Sequence, residues 1–283
     1  MADIFSVGVV GSGIMGGGLA EVAARGGHDV VLRARTTEGA RAAVDAIAKG
    51  LDRQVAKGRL AGDEREAIMQ RIRPTASLHD LAGCDLVIES VVEDLHTKRA
   101  LFAELDHIVQ PSALLATNTS TLPVVELAMA TQRPHMVCGI HFFNPAPVMK
   151  LVEVIRPITA SDETIERAIG FAQRCGKDAI DVKDHAGFVV NALLFPYLNN
   201  AVRMLERGTA DRDAIDTAMC GGCNFPMGPL ALLDLIGLDT SVSILDALYA
   251  EFREPSLWPA PTLKRLVEAG HLGRKSGRGF YTY

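Results

Sequence analysis

The chain has 283 residues, 48% hydrophobic and 22% charged, a composition that excludes a disordered or low-complexity protein. A net charge of −5 argues against a nucleic-acid surface, and no apolar run reaches membrane-spanning length, so no membrane partner is expected. Five cysteines, an odd number, suit reduced thiols, and an N-terminus without a basic cluster or cleavage pattern points to a cytoplasmic protein.

The first element is a short buried strand, Phe5 to Val10. Gly11, Ser12, Gly13, Ile14, Met15 and Gly16 follow at once, then a helical run through Leu19 and Ala24 that ends near Gly26 and Gly27. A G-x-G-x-x-G between strand and helix is the dinucleotide fingerprint. Gly11 makes the tight turn, Gly13 lets backbone approach a pyrophosphate, and Gly16 lets helix and strand pack closely. A second strand is expected over 29–33. A long polar helical stretch near 38–72 follows, an excursion from the nucleotide fold. On it Lys49, Arg53 and Lys57 recur every four residues on one face, as a solvated face or as an anion-binding one.

Further strands are expected over 85–89, 113–117, 136–142 and 149–155. Short apolar runs alternating with helical patterns read as an α/β fold with a mostly parallel sheet and helices on both faces. Two of these runs carry chemistry. His141 ends one, and Glu153 interrupts the next between Val152 and Val154. The turn Asn144–Pro145–Ala146–Pro147 can fold the second run back beside the first. A Glu buried among valines needs a partner, and His141 is the nearest suitable one. A histidine held by a carboxylate is a general acid/base of defined tautomer. The plainer alternative is a satisfied core histidine and an unrelated edge glutamate.

The pattern changes after residue 184. Only helical patterns follow, so the chain divides into 1–184, a Rossmann-type dinucleotide-binding domain, and 185–283, a smaller all-helical domain. The run from Phe188 to Leu198 is apolar nearly all round, as a helix buried in a domain or subunit interface would be. Cys220 and Cys223 form a C-x-x-C, but no second pair or histidine cluster has zinc-ligand spacing, so no metal site is expected.

Taken together, several segments resemble the short-chain L-3-hydroxyacyl-CoA dehydrogenase family, nearest its bacterial 3-hydroxybutyryl-CoA branch. They are the fingerprint, Leu86 to Glu93, Asn118 to Ser120, His141 to Glu153, Gly187 to Asn191, Pro226 to Pro229, and Gly273 to Tyr281. The resemblance covers essentially the whole chain. It implies hydride transfer between a nicotinamide cofactor and C3 of a 3-hydroxyacyl thioester, with His141 as base and Glu153 orienting it. It places Ser120 against cofactor and substrate oxygen, Asn191 against the substrate carbonyl, and Asn144, Glu93 and Lys98 near the nicotinamide end. Lys49, Arg53 and Lys57 would meet the CoA phosphates, and the helical domain would form a homodimer. Read alone, Ser120 is a helix N-cap, Asn144 a turn former, Asn191 a buried amide bonded to backbone, Glu93 a helix-start carboxylate and Lys98 a solvated lysine.

The chain departs from the family pattern twice. Ala34 stands where NAD-binding members carry the acid that binds the adenine ribose, and Arg33 and Arg35 flank it. Guanidiniums without an acid favour a 2′-phosphate, hence NADP(H) over NAD(H). Phe225 replaces the histidine common before Pro226. Other readings are a dehydrogenase of a hydroxyacyl chain on an acyl carrier protein, one of a free hydroxy acid or sugar acid, and a non-catalytic dinucleotide-binding protein.

Overall fold

The computed structural model describes residues 4–283. They fall into two compact units that divide between Asp184 and His185.

The first unit is built on one eight-stranded sheet in the order β3-β2-β1-β4-β5-β6-β7-β8. The strands are β1 Ser6–Val10, β2 Asp29–Arg33, β3 Ile72–Thr75, β4 Leu86–Glu89, β5 Leu114–Thr117, β6 Val137–Phe142, β7 Leu151–Arg156 and β8 Asp178–Lys183. All neighbours are parallel except β6 and β7. Valine, leucine and isoleucine fill the central strands because helices cover parallel sheets on both faces. In β1, β4 and β5 almost every residue is buried. The strand order reverses at β1, between β2 and β4, and open sheets of this class bind ligands at that point.

Two strands escape the sequence pattern, and both lie at the edges of the sheet. β3 has only four residues, one of them Pro74. Proline cannot donate to a central ladder but is tolerated at an edge. β8 is short on apolar side chains and largely exposed, as charged edge strands are. The expected excursion near 38–72 is two helices, α2 Thr37–Ala56 and α3 Gly62–Gln70. Gly58, at φ 64°, breaks them apart. The Thr36 hydroxyl caps α2 by accepting from the Gly39 N–H at 3.0 Å. The remaining helices of this unit are α1 Ile14–Arg25, α4 Leu95–Ile108, α5 Val124–Ala128 and α6 Asp162–Arg174.

The second unit consists of α7 Val190–Glu206, α8 Arg212–Cys223, α9 Pro229–Ile236, α10 Leu238–Phe252 and α11 Pro261–Glu268. They enclose a core of Phe195, Leu198, Leu230, Leu233, Leu245 and Leu248. Two buried carboxylates account for its glycine-containing motifs. Asp216 accepts from the Leu230 and Ala231 N–H groups, capping α9 at 2.8 and 2.9 Å, and a Cβ on Gly228 would lie 2.3 Å from it. Asp234 accepts from Phe280 N–H and Tyr281 N–H, both at 2.8 Å, and a Cβ on Gly279 would strike it. Among the described residues no helix is long and apolar enough to cross a membrane.

Candidate active site

The glycine-rich turn leaves β1 at the switch point of the sheet. Gly11 has φ 128°, and a Cβ there would lie 2.1 Å from the Ser90 carbonyl oxygen. A Cβ on Gly16 would lie 1.9 Å from the Gly11 carbonyl oxygen. Both glycines are therefore required by backbone crowding. Gly13 differs, for nothing lies within 4 Å of a Cβ built on it. It is the N-cap of α1, where no side chain caps the helix and no acid sits in the first turn. An uncapped, unacidified helix N-terminus with open space in front of it fits a pyrophosphate.

Beside the turn lies a cavity of about 530 Å³, lined by Gly11, Gly13, Arg33, Ala34, Arg35 and Ser90 among others. Ala34 is buried, and Arg35 is exposed. Arg33 is partly tethered, its Nε donating to the Ala76 carbonyl at 3.2 Å. Among the described residues no carboxylate lines this cavity.

The carboxyl ends of β4 and β5 carry a buried ion network. Lys98 is 1% exposed; its ammonium lies 2.9 Å from Glu89 Oε1 and 2.9 Å from Glu93 Oε2. Glu89, fully buried, also accepts from Thr117 Oγ1 at 2.7 Å and from the Val91 N–H at 2.6 Å. Glu93 reaches back to the next loop, accepting from the Thr119 hydroxyl and from the Ser120 N–H at 3.0 Å. Burial pushes its carboxyl up, but the Lys98 ammonium and these donors hold it below the ordinary value. Lys98 is thus not a solvated lysine, and its ammonium stands behind Glu93 rather than in solvent. Ser120 is not a helix N-cap either. The N-cap of α5 is Pro123, and the Asp184 carboxylate takes the Val124 and Val125 N–H groups at 3.0 and 2.8 Å. The bonding roles of Glu89, Thr119 and Asp184 have little local signal in the sequence; that of Glu89 is a carboxylate closing an apolar strand.

His141 and Glu153 are cross-strand partners in the antiparallel pair β6–β7. His141 Nδ1 lies 2.7 Å from Glu153 Oε2, with both residues buried. The turn after β6 brings this about, by reversing the chain so that residue 153 falls opposite 141. β8 flanks Glu153 on its other side, pairing it with Ile180. The Phe143 ring packs against the imidazole, centroids 4.5 Å apart. Asn118 Oδ1 accepts from the Phe142 N–H at 2.9 Å, tying the end of β6 to the loop that carries Ser120.

Asn144 is exposed and lines a second cavity of about 470 Å³, together with Ser12, Gly13, Ile14, Ala146 and Arg53. Ser12 and Gly13 line both cavities. Met15 lies partly buried in the first turn of α1. Of the basic face on α2, Arg53 alone lines the second cavity; Lys49 and Lys57 are exposed, and Lys57 is already the C-cap. Asn191 belongs to the second unit, buried in the first turn of α7. In that unit Phe225 is 42% exposed and stacks edge-on against Tyr197.

The likeness to known proteins extends over the same two units. The model of the 3-hydroxyacyl-CoA dehydrogenase NAD-binding domain matches residues 6–185, and that of the C-terminal domain matches 187–283. A 3-hydroxybutyryl-CoA dehydrogenase of Mycobacterium tuberculosis is 47% identical over 286 residues, covering 100% of both chains. The crystal structure of M. tuberculosis FadB2 superposes with a TM-score of 0.97 at 47% identity, covering 100% of each chain. That of (S)-3-hydroxybutyryl-CoA dehydrogenase PaaH1 from Ralstonia eutropha does so at 0.96 and 40%, covering 99% of each. The chain belongs to the 3-hydroxyacyl-CoA dehydrogenase family.

Proposed function

We propose that this protein interconverts a short-chain 3-hydroxyacyl-CoA and its 3-oxoacyl-CoA, with 3-hydroxybutyryl-CoA as the leading substrate, and that His141 is its acid/base. The observation that carries this reading is the buried His141–Glu153 pair at 2.7 Å. A nicotinamide dinucleotide, when bound, supplies the hydride acceptor or donor at C4. With Nδ1 donating to Glu153, the neutral imidazole keeps its lone pair on Nε2. Nε2 then takes the hydroxyl proton as the C3–H bond breaks, and Glu153 stabilises the imidazolium. In the reverse direction His141 returns that proton to the 3-oxo oxygen. Ser120 and Asn191 are the proposed polar contacts to the substrate oxygens, and Asn144, on the wall of the second cavity, the proposed contact to the nicotinamide end. The fingerprint glycines hold the pyrophosphate.

Two finer readings rest on specific observations. The acid-free cavity with Arg33 and Arg35 supports NADP(H) over NAD(H). Arg53, on the wall it shares with Asn144, is the member of the basic face best placed for a CoA phosphate; Lys49 and Lys57 would contribute only at longer range. An acyl-carrier-protein substrate shares the pantetheine arm and is the competing reading for the carrier. A homodimer through the helical unit is supported by exposed apolar side chains there, including Leu193 at 72% and Leu235 at 50%.

The test is reduction of acetoacetyl-CoA and of acetoacetyl carrier protein, side by side, by wild type and His141→Gln. Wild type should turn over the CoA thioester faster, and His141→Gln should lose about hundred-fold or more in kcat while still binding dinucleotide. A His141→Gln enzyme with wild-type kcat at neutral pH would remove His141 from the chemistry.

A further inference from the structure

The loop 143–150 joins His141 to Glu153 and supplies Asn144, Pro145, Ala146 and Pro147 to the wall of the second cavity. Its internal bonds are few. The Val148 and Met149 N–H groups both donate to the Pro145 carbonyl, at 2.9 and 3.0 Å. A group from outside the loop holds two of its other carbonyls. Lys177 follows α6, where Gly176 turns the chain at φ 71°. The lysine is 8% exposed, and its Nζ donates to the Ala146 carbonyl at 2.7 Å and to the Met149 carbonyl at 2.8 Å. A buried ammonium is costly, so these bonds are the means by which it is tolerated. The loop also packs closely on α1, since a Cβ on Gly18 would come within 3.2 Å of the Ala146 Cβ. The loop is thus tied to Lys177 and packed on the helix that starts at the glycine-rich turn.

We propose that Lys177 is a positioning residue for the reaction: its ammonium clamps the 143–150 loop by two backbone carbonyls and so sets Asn144 and the Pro145–Pro147 wall against the dinucleotide-binding turn. Burial draws the Lys177 pKa down, in keeping with an ammonium that has exchanged water for two carbonyls. Lysine suits this task because it offers three donors from one compact charge, and Met offers the same length without them. The inference rests on the proposed dehydrogenase reading only for its kinetic arm.

The experiment compares Lys177→Met, Lys177→Arg, Asn144→Ala and the double variant Lys177→Met/Asn144→Ala with wild type. Amide hydrogen exchange is measured across 143–150, and kcat and KM are measured for each substrate. Lys177→Met should speed exchange in the loop while the strands β1, β4 and β5 keep wild-type protection. It should raise the dinucleotide KM about ten-fold, the scale of lost bonds to a charged donor, and raise the acyl-CoA KM less. Lys177→Arg should recover part of the loss, because one carbonyl bond can be remade. Lys177→Met should add little to Asn144→Ala, since both act through the same side chain. Unchanged loop exchange in Lys177→Met overturns the clamp. A uniform loss of protection, or equal losses in all kinetic parameters with full additivity, assigns Lys177 a general folding role and overturns positioning. Absence of wild-type turnover with any 3-hydroxyacyl thioester would sink the dehydrogenase reading and leave the exchange measurement to decide the clamp by itself.

Discussion

Lys98 and Glu93 form an ion pair in which one partner is sealed and the other is not. The ammonium lies 2.9 Å from Glu93 Oε2 with the lysine side chain 1% exposed and the glutamate side chain 41% exposed. The second carboxylate on the same ammonium, Glu89, is fully buried. The lysine therefore neutralises an interior charge and orients a partly exposed one.

This arrangement predicts an asymmetric response to mutation. Lys98→Met leaves Glu89 buried without a counter-charge and should cost about 3–5 kcal/mol, the usual penalty for breaking a buried pair from one side. Lys98→Met combined with Glu89→Gln should recover a large part of it, because no buried charge remains. Urea unfolding monitored by circular dichroism reads both. Equal stability of the single and double variants would show that Glu89 is not the residue penalised.

The glycines of the turn should separate folding from binding. Gly16→Ala forces a methyl into the Gly11 carbonyl and should destabilise the protein by about 1–3 kcal/mol or more. Gly13→Ala meets open space, so its melting temperature should stay near wild type. Its dinucleotide Kd should rise about ten-fold or more, the scale of a lost charge-assisted contact. Fluorescence titration with NADH and NADPH, beside a thermal melt, distinguishes the two. A Gly13→Ala protein that binds both cofactors normally would show that the phosphates do not pass this glycine.

NADPH should have a lower KM than NADH, by about ten- to hundred-fold for a charge-assisted pair to the 2′-phosphate. The tether from Arg33 to the Ala76 carbonyl pre-orders that guanidinium, whereas exposed Arg35 must be ordered on binding. Arg33→Ala should therefore weaken NADPH more than Arg35→Ala does. Ala34→Asp should reverse the preference by supplying the ribose acceptor and repelling the phosphate. A wild-type preference for NADH that survives removal of both arginines would end this reading.

Acid should destabilise the first unit through His28. The ring is 1% exposed, packs at a tilt against Phe171, and leaves Nε2 without a partner among the described residues. Burial, then the Arg174 charge, lowers its pKa from 6.5. The folded state favours the neutral ring, so the unfolded chain takes the proton first. His28 leaves stability undiminished above about pH 6.5 and withdraws it as pH falls below that value towards the lowered one. His28→Phe should flatten the fall in melting temperature between pH 7 and 5, a range set by the ordinary histidine pKa near 6.5. A slope identical to wild type would place the sensitivity elsewhere.

Much of this protein can be read locally. The strand–turn–helix of the fingerprint is legible because each glycine answers a short-range demand of the backbone, and the central strands because burial on both faces writes itself as unbroken runs of Val, Leu and Ile. The His141–Glu153 pairing is legible too, for a short proline-containing loop between two apolar runs brings the second back beside the first. β3 and β8 are not, since edge strands carry proline and charge in place of an apolar run. The break at Gly58 is hidden in the sequence because a helical period continues on both sides of it. What depends on distant residues is decided only in three dimensions. Glu89, Lys98 and Glu93 become a network because α4 packs its Lys98 back onto the end of β4. Asp184 caps a helix about sixty residues earlier in the chain. Lys177 holds a loop that precedes it by more than one secondary-structure element. Sequence determined which residue types can turn a backbone, fill a core or move a proton; the fold decided which charges lose their water and must find one another.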